Sequence, residues 1–149
     1  MINSAKYIID NNITVSTAES CTGGMIAHKL TCVPGASNTY KGGIVAYTNE
    51  AKMNLLNVSK HNIDTYTEVS KQVATDMAVG CLKVFDTDMA VATTGYAQPF
   101  TGDEQHAYVG IAYKSDNGIV CNVHKVELKY PKARHRFIEF VTEDAIELL

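Results

Sequence analysis

A run of polar side chains follows directly on an apolar, β-branched segment near the start of the chain. Residues 18–24 are AESCTGG, so the hydroxyl of Ser20 and the thiol of Cys21 stand just before two glycines, Gly23 and Gly24. A serine on a tight strand-to-helix turn can act as a nucleophile, because the following amides and the helix N-terminus can stabilise an oxyanion. The glycines also allow backbone N–H groups to approach a substrate or a phosphate closely.

A serine hydroxyl is a poor nucleophile until a base removes its proton. The sequence has no G-x-S-x-G motif, but Lys52 closes a second polar stretch, AYTNEAK, at residues 46–52. A lysine whose pKa is lowered by desolvation can serve as the base. Other interpretations remain open at this point. Ser20 could simply cap a helix, Lys52 could be a solvated surface residue, and Cys21 is either a rival nucleophile or a small buried thiol.

The elements that must position these residues follow from the hydrophobic pattern. Helical segments alternate with three predicted strands, and a hairpin at SDNG and a final amphipathic helix follow. This order predicts a single three-layer α/β/α domain over residues 1–149, with a mostly parallel mixed sheet and an antiparallel edge hairpin. The predicted strands are ITVST (13–17), GGIVAYT (42–48), DMAVATTG (88–95), AYVGIAYKS (107–115) and GIVCNVHKVEL (118–128).

Three finer expectations concern individual elements. The apolar middle of GGIVAYT predicts a buried central strand. Asn49 and Ser70 are the expected N-caps of the helices that follow them. In the last helix, the side chains expected to face the core are Phe137, Phe140, Val141, Ala145 and Leu148.

Ligands of sheets with parallel strands bind beyond the carboxyl ends of those strands. Residues 18–24, residues 46–52 and a third polar stretch, ATTGYAQP at 92–99, lie at the carboxyl ends of the first three predicted strands. We therefore expect the three stretches to meet at one crevice. Tyr47 and Thr94 belong to this group, although a strand-end aromatic and a turn residue are their simpler interpretations.

Composition limits the classes of function that are compatible with the chain. The 149 residues are 46% hydrophobic and carry a formal net charge of −3, which is typical of a globular domain and argues against nucleic-acid binding. The absence of a long apolar run argues against a membrane segment and favours a cytoplasmic protein. The cysteines and histidines lack the spacing of metal ligands, so no metal is expected.

Four segments closely resemble the CinA C-terminal domain family, the nicotinamide-nucleotide amidases. They are STAESCTGGMIAHKLTCVPGAS, YKGGIVAYTNEAKMNLLNV, VSKQVATDMAVG and ATTGYAQP. The resemblance implies a three-layer α/β/α fold and hydrolysis of the carboxamide of nicotinamide mononucleotide to nicotinate mononucleotide and ammonia. It also implies homo-oligomers and no metal or other cofactor, with a pyridine nucleotide as the small-molecule partner.

The same resemblance implies roles for individual residues. Ser20 would be the nucleophile and Lys52 its base, with Tyr47 and Thr94 completing a network of hydroxyl groups around them. One late arginine, Arg134 or Arg136, would reach the site. The residues that would shape the nucleotide pocket are Glu19, Thr22, Gly23, Gly24 and Gly95.

The chain departs from the family pattern after Gly95. The family typically continues G-I-A-G-P and then a glycine-rich segment, whereas this chain has GYAQPFTGDEQHAYVG, with Tyr96 for Ile and Gln98 for Gly. Fewer glycines mean fewer amides that can cradle a phosphate, and Asp103 and Glu104 would repel one. We therefore expect residues 96–107 to be mobile or folded away from the crevice, and the phosphate to be bound weakly. Two hypotheses follow: an active amidase, or a paralogue that is inactive or of altered specificity and acts in nucleotide binding or regulation.

Overall fold

The computed structural model describes residues 2–98 and 105–149. No helix in these two ranges is both long and apolar enough to cross a membrane. The strands are β1 (Val15–Glu19), β2 (Tyr40–Val45), β3 (Met89–Tyr96), β4 (Gln105–Ser115) and β5 (Gly118–Leu128). The helices are α1 (Ile2–Asp10), α2 (Met25–Thr31), α3 (Ala36–Thr39), α4 (Asn49–Leu56), α5 (Lys60–Tyr66), α6 (Lys71–Phe85) and α7 (Arg134–Glu147).

The strands form one mixed sheet in the order β2-β1-β3-β4-β5. β1 pairs in parallel with both β2 and β3, while β4 is antiparallel to β3 and β5. One hydrophobic cluster joins the sheet to α1, α2 and α7, and a second cluster on the other face joins it to α4 and α6. The predicted three-layer α/β/α fold with a mixed sheet and a C-terminal hairpin is therefore confirmed.

The position predicted for β2 is wrong, because this strand lies at the edge of the sheet rather than at its centre. Its residues alternate between half-buried and exposed, and Val45 is 52% exposed. The small residues in this strand instead serve close packing. A Cβ on Gly43 would lie 2.1 Å from the Thr17 hydroxyl oxygen, and one on Gly42 would lie 2.6 Å from the Phe85 ring.

Of the two predicted helix N-caps, one is confirmed and the other is wrong. Ser70 caps α6 as predicted, since its hydroxyl accepts a hydrogen bond from the backbone N–H of Val73 at 3.2 Å. The N-cap of α4 is Thr48 rather than Asn49, and its hydroxyl accepts from the Ala51 N–H at 3.1 Å. The short helices α3 and α5 were not predicted.

In α7, the predicted inward stripe is correct except at its ends. Phe137, Val141 and Ala145 are fully buried, whereas Phe140 is half-buried and Leu148 is 41% exposed. Leu148 is the C-cap of α7 and lies just beyond its last helical residue, Glu147.

Candidate active site

The carboxyl ends of β1, β2 and β3 open into one cavity with a volume of about 550 Å³. All three predicted polar stretches contribute to it, so the expected convergence is confirmed. The lining residues are Ser20, Cys21, Tyr47, Lys52, Glu68, Val69, Thr94, Gly95, Tyr96, Ala97, Gln98 and Arg134.

Ser20 lies directly after β1, and backbone hydrogen bonds fix its position. Its N–H donates to the carbonyl of Thr93 on the neighbouring strand at 2.9 Å, and its carbonyl accepts from the N–H of Gly23 at 3.2 Å. The residue is 6% exposed, and that small exposed area belongs to the cavity wall. These two hydrogen bonds fix the backbone of Ser20 at the end of β1, which lies between β2 and β3.

Lys52 is a buried residue of α4 and not a solvated surface lysine. It is 2% exposed and lines the same cavity as Ser20. Burial lowers the pKa of its amine, and this effect outweighs the nearby carboxylate of Glu68, which raises that pKa. Desolvation thus favours the neutral amine, which is the form that can accept a proton.

The hydroxyl of Ser20 and the amine of Lys52 share one cavity, but no hydrogen bond joins them in the described part of the chain. Catalytic hydrogen bonds are often long before a substrate binds, and one water can bridge a base to its partner. Proton transfer between the two groups therefore requires a side-chain adjustment or a bridging water.

Cys21 is buried and is poorly suited to act as the nucleophile. It is 5% exposed, and burial raises the pKa of its thiol to about 12. A hydrogen bond with the side chain of Thr93 lowers this pKa, but it only partly offsets the burial. Because the thiolate is the nucleophilic form of cysteine, burial disfavours the reactive form of this thiol near neutral pH.

Tyr47 and Arg134 meet at the mouth of the cavity. The Arg134 Nη2 donates a hydrogen bond to the Tyr47 hydroxyl at 2.7 Å, and Tyr47 is 58% exposed. Arg136, the other candidate arginine, pairs with Glu139 at 3.0 Å and does not line the cavity. Of the two arginines, Arg134 is therefore the one that the fold brings to the site.

Thr94 and Glu68 connect the end of β3 to the segment that precedes α6. The Thr94 hydroxyl donates to the backbone carbonyl of Glu68 at 2.6 Å. Sequence analysis did not find Glu68 or its neighbour Val69, although one signal was available. A helix that precedes a parallel strand begins at the carboxyl edge of the sheet, so residues just before the Ser70 cap lie at that edge.

Glu19 lies outside the cavity wall and supports the turn that carries Ser20. The residue is 1% exposed, and its carboxylate accepts hydrogen bonds from the Thr22 hydroxyl at 2.7 Å and from three backbone N–H groups. Those N–H groups belong to Gly24 at 3.0 Å, Ile26 at 3.1 Å and Ala27 at 2.8 Å. These amides were expected to be available to an oxyanion or a phosphate, but they are already bonded to Glu19.

Thr22, Gly23 and Gly24 also support the turn, and none of them lines the cavity. The Thr22 hydroxyl lies 2.7 Å from that of Thr93. Gly23 and Gly24 have φ values of +59° and +97°, in the left-handed region that glycine adopts without strain. In the described residues, Thr22, Gly23 and Gly24 support the turn. That they also shape a nucleotide pocket stays a prediction.

The segment after Gly95 is described only in part, since residues 99–104 lie outside the described residues. The expectations for Asp103 and Glu104, and for movement of the whole 96–107 segment, extend into that gap. On the described side, Tyr96, Ala97 and Gln98 line the cavity. The backbone carbonyl of Ala97 accepts a hydrogen bond from the side chain of Gln105 at 2.7 Å.

Fold and site together define the class of protein: a three-layer α/β/α domain with a serine and a desolvated lysine in a cavity at the carboxyl ends of its parallel strands. The model of the CinA C-terminal domain family matches residues 2–149. This chain belongs to that family.

Individual relatives agree with this assignment. A CinA-like protein of Flavobacterium psychrophilum is 40% identical over 147 residues, which are 97% of this chain and 34% of that protein. A CinA-like protein of Fervidobacterium nodosum is 45% identical over 116 residues, covering 76% of this chain and 28% of the relative. The chain thus spans about a third or less of the length of these relatives.

Solved structures show the same fold. The competence/damage inducible protein CihA from Agrobacterium tumefaciens is 35% identical with a TM-score of 0.83, covering 99% of this chain and 92% of that one. A CinA superfamily protein from Escherichia coli is 27% identical with a TM-score of 0.84, covering 98% and 85%.

Proposed function

We propose that this domain is an amidase that hydrolyses the carboxamide of nicotinamide mononucleotide to nicotinate mononucleotide and ammonia. The observation that carries the proposal is the placement of a buried Lys52 amine, whose pKa is lowered, in the same cavity as Ser20. The choice of substrate rests on the family resemblance. The relatives are described as competence- or damage-inducible, which names a circumstance rather than a reaction.

The proposed reaction has two stages. In the first, the neutral Lys52 amine takes the proton of the Ser20 hydroxyl while the oxygen attacks the carboxamide carbon. The protonated lysine then gives that proton to the departing nitrogen, so ammonia leaves and an ester to Ser20 remains. In the second stage Lys52 removes a proton from water, hydroxide attacks the ester, and the proton returns to the serine oxygen as the acid departs.

The mouth of the cavity suits the phosphate end of this substrate. The Arg134 guanidinium carries a permanent positive charge and can bind phosphate oxygens in a bidentate manner. Its hydrogen bond to the Tyr47 hydroxyl holds the guanidinium beside the opening. In this arrangement Ser20 and Lys52 act on the ring substituent while Arg134 holds the opposite end of the nucleotide.

A second candidate function is nucleotide binding without hydrolysis. One observation favours it: no hydrogen bond joins Ser20 and Lys52 within the described residues.

The two functions separate in an assay of ammonia release. The full chain is incubated with nicotinamide mononucleotide, its dephosphorylated nucleoside or free nicotinamide, and ammonia and the acid product are measured together. We expect equal amounts of ammonia and nicotinate mononucleotide from the mononucleotide. Binding of the mononucleotide by calorimetry without ammonia release would establish the non-hydrolytic function instead. If the chain neither binds the mononucleotide nor releases ammonia from it, the proposed substrate is wrong.

A further inference from the structure

Glu68 and Tyr96 form a hydrogen-bonded pair on one wall of the cavity. This wall carries a negative charge, whereas the mouth of the cavity carries the positive charge of Arg134. The Tyr96 hydroxyl donates a hydrogen bond to Glu68 Oε1 at 3.1 Å, and both residues line the cavity. The backbone of Glu68 is fixed separately, because its carbonyl accepts the hydrogen bond from Thr94. The carboxylate is thus oriented by a phenol, while the backbone of Glu68 is held by a separate hydrogen bond.

The charged residues of the described cavity lining differ in burial. Lys52 is buried, Glu68 is half-buried and Arg134 is exposed. Lys52 must be neutral to act as a base, which leaves a negative carboxylate on the inner wall and a positive guanidinium at the mouth. A ligand that complements this arrangement carries a positive charge at its inner end and a negative charge at its outer end.

We propose that Glu68 and Tyr96 recognise a positively charged heteroaromatic ring, the pyridinium of a nicotinamide nucleotide, and select against the neutral dihydropyridine form. This inference rests on the proposed function, and it adds a requirement for the oxidised, cationic ring. A carboxylate in a partly desolvated cavity attracts a cation more strongly than one in water.

The substitution Glu68→Gln isolates this role. Glutamine keeps the shape of the side chain and an oxygen that can accept the Tyr96 hydrogen bond, and the contact from Thr94 to the backbone carbonyl is unchanged. Only the charge is lost. The matched control is Glu50→Gln, which removes the same charge from an exposed residue in the first turn of α4, outside the cavity lining.

The test measures the binding of two ligands that differ in ring charge. Nicotinamide mononucleotide and its reduced form are titrated by calorimetry into protein that carries Ser20→Ala, which prevents turnover during the measurement. With Glu68 present, we expect the cationic ligand to bind about tenfold more tightly than the neutral one. Adding Glu68→Gln should abolish this preference by weakening the cationic ligand alone, whereas Glu50→Gln should preserve it.

Three outcomes would overturn the inference. One is equal affinity for the two ligands with Glu68 present, and another is an equal loss for both ligands in Glu68→Gln, which would indicate a structural role. The third is a preference that survives Glu68→Gln. If the unchanged chain releases ammonia from the mononucleotide while any of these holds, ring-charge selection is wrong and the amidase function stands. If the chain neither binds nor hydrolyses the mononucleotide, both proposals are wrong.

Discussion

Two glutamates on opposite sides of Ser20 show how differently this domain uses the same side chain. The carboxylate of Glu19 accepts four hydrogen bonds and is 1% exposed. Among the described residues, the carboxylate of Glu68 accepts one hydrogen bond, from Tyr96, and it lines the cavity. Glu19 belongs to a buried support beneath the turn at Ser20, whereas Glu68 belongs to the wall that a ligand would contact.

This difference separates two kinds of polar residue in the site. In the buried support, polar groups of Glu19, Thr22 and Thr93 bond to one another and to backbone amides, so their hydrogen-bonding capacity is spent on the fold. On the cavity wall, Lys52 and Glu68 retain capacity that a ligand can use. We therefore expect substitutions in the support to change stability and substitutions on the wall to change chemistry.

Among the substitutions that compare the support with the wall, Lys52→Met should have the largest effect on chemistry. Loss of a general base should lower kcat by about a thousandfold. The free energy of unfolding at neutral pH should not fall, because methionine fills similar space without a desolvated amine. Kinetic assays and urea denaturation measure the two quantities, with Lys83→Met, at an exposed position of α6, as the control. A large loss of stability in Lys52→Met would place this lysine in the support instead.

The difference in free energy of unfolding between Lys52→Met and the unchanged chain should also depend on pH, in a defined direction. Because burial lowers the pKa of Lys52 in the folded protein, the folded state binds fewer protons than the unfolded state between that pKa and 10.5. The destabilisation by Lys52 is therefore complete below the folded-state pKa and fades as the pH rises towards 10.5. Any stability advantage of Lys52→Met at neutral pH should shrink over the same range.

The next largest effect is on stability, and it is expected to differ between the two glutamates. Glu19→Ala leaves three backbone N–H groups and a buried hydroxyl without their acceptor, so it should reduce the free energy of unfolding by about 3 kcal/mol. Glu68→Ala should reduce it by less than about 1 kcal/mol, since the Thr94 contact is to the backbone. Denaturant unfolding of both variants measures the difference. Similar losses for the two would contradict the separation of support and wall.

The smallest effect is a shift of the pH–rate profile in Glu68→Gln. The rate should fall at acidic pH as Lys52 becomes protonated, because only its neutral amine accepts the serine proton. Glu68 raises the pKa of Lys52, so removing its charge should lower that pKa and move the acidic limb to lower pH. The profile of Glu50→Gln should coincide with that of the unchanged chain. A limb that does not move would show that the two side chains are not coupled.

Much of the site could be predicted from the sequence because it follows local patterns. Ser20, Tyr47, Lys52 and Thr94 all lie at or near the carboxyl ends of apolar strand segments, and the carboxyl ends of parallel strands share one edge of a sheet. The cavity confirms that grouping. The chemical roles assigned to these residues remain predictions.

Other features could not be predicted because they depend on strand order and side-chain direction. Local pattern does not say which strand is at an edge, so β2 was expected at the centre of the sheet. Alternation along β1 sends Val15 to the α2 side and Ala18 to the α6 side, which places Glu19 under α2. Only the folded turn shows that this carboxylate uses the amides that a substrate was expected to bind. Glu68 reaches the cavity from a connection between helices, where no motif marks it.

The central claim is that Ser20, and not Cys21, is the nucleophile of an amidase. The most direct test measures ammonia release from nicotinamide mononucleotide by the unchanged chain, Ser20→Ala and Cys21→Ala at equal concentrations of folded protein. We predict that Ser20→Ala abolishes ammonia release. Its free energy of unfolding should differ from that of the unchanged chain by less than about 1 kcal/mol. Cys21→Ala should keep substantial activity, because its thiol is buried and protonated. Activity that survives Ser20→Ala and disappears in Cys21→Ala would contradict the claim.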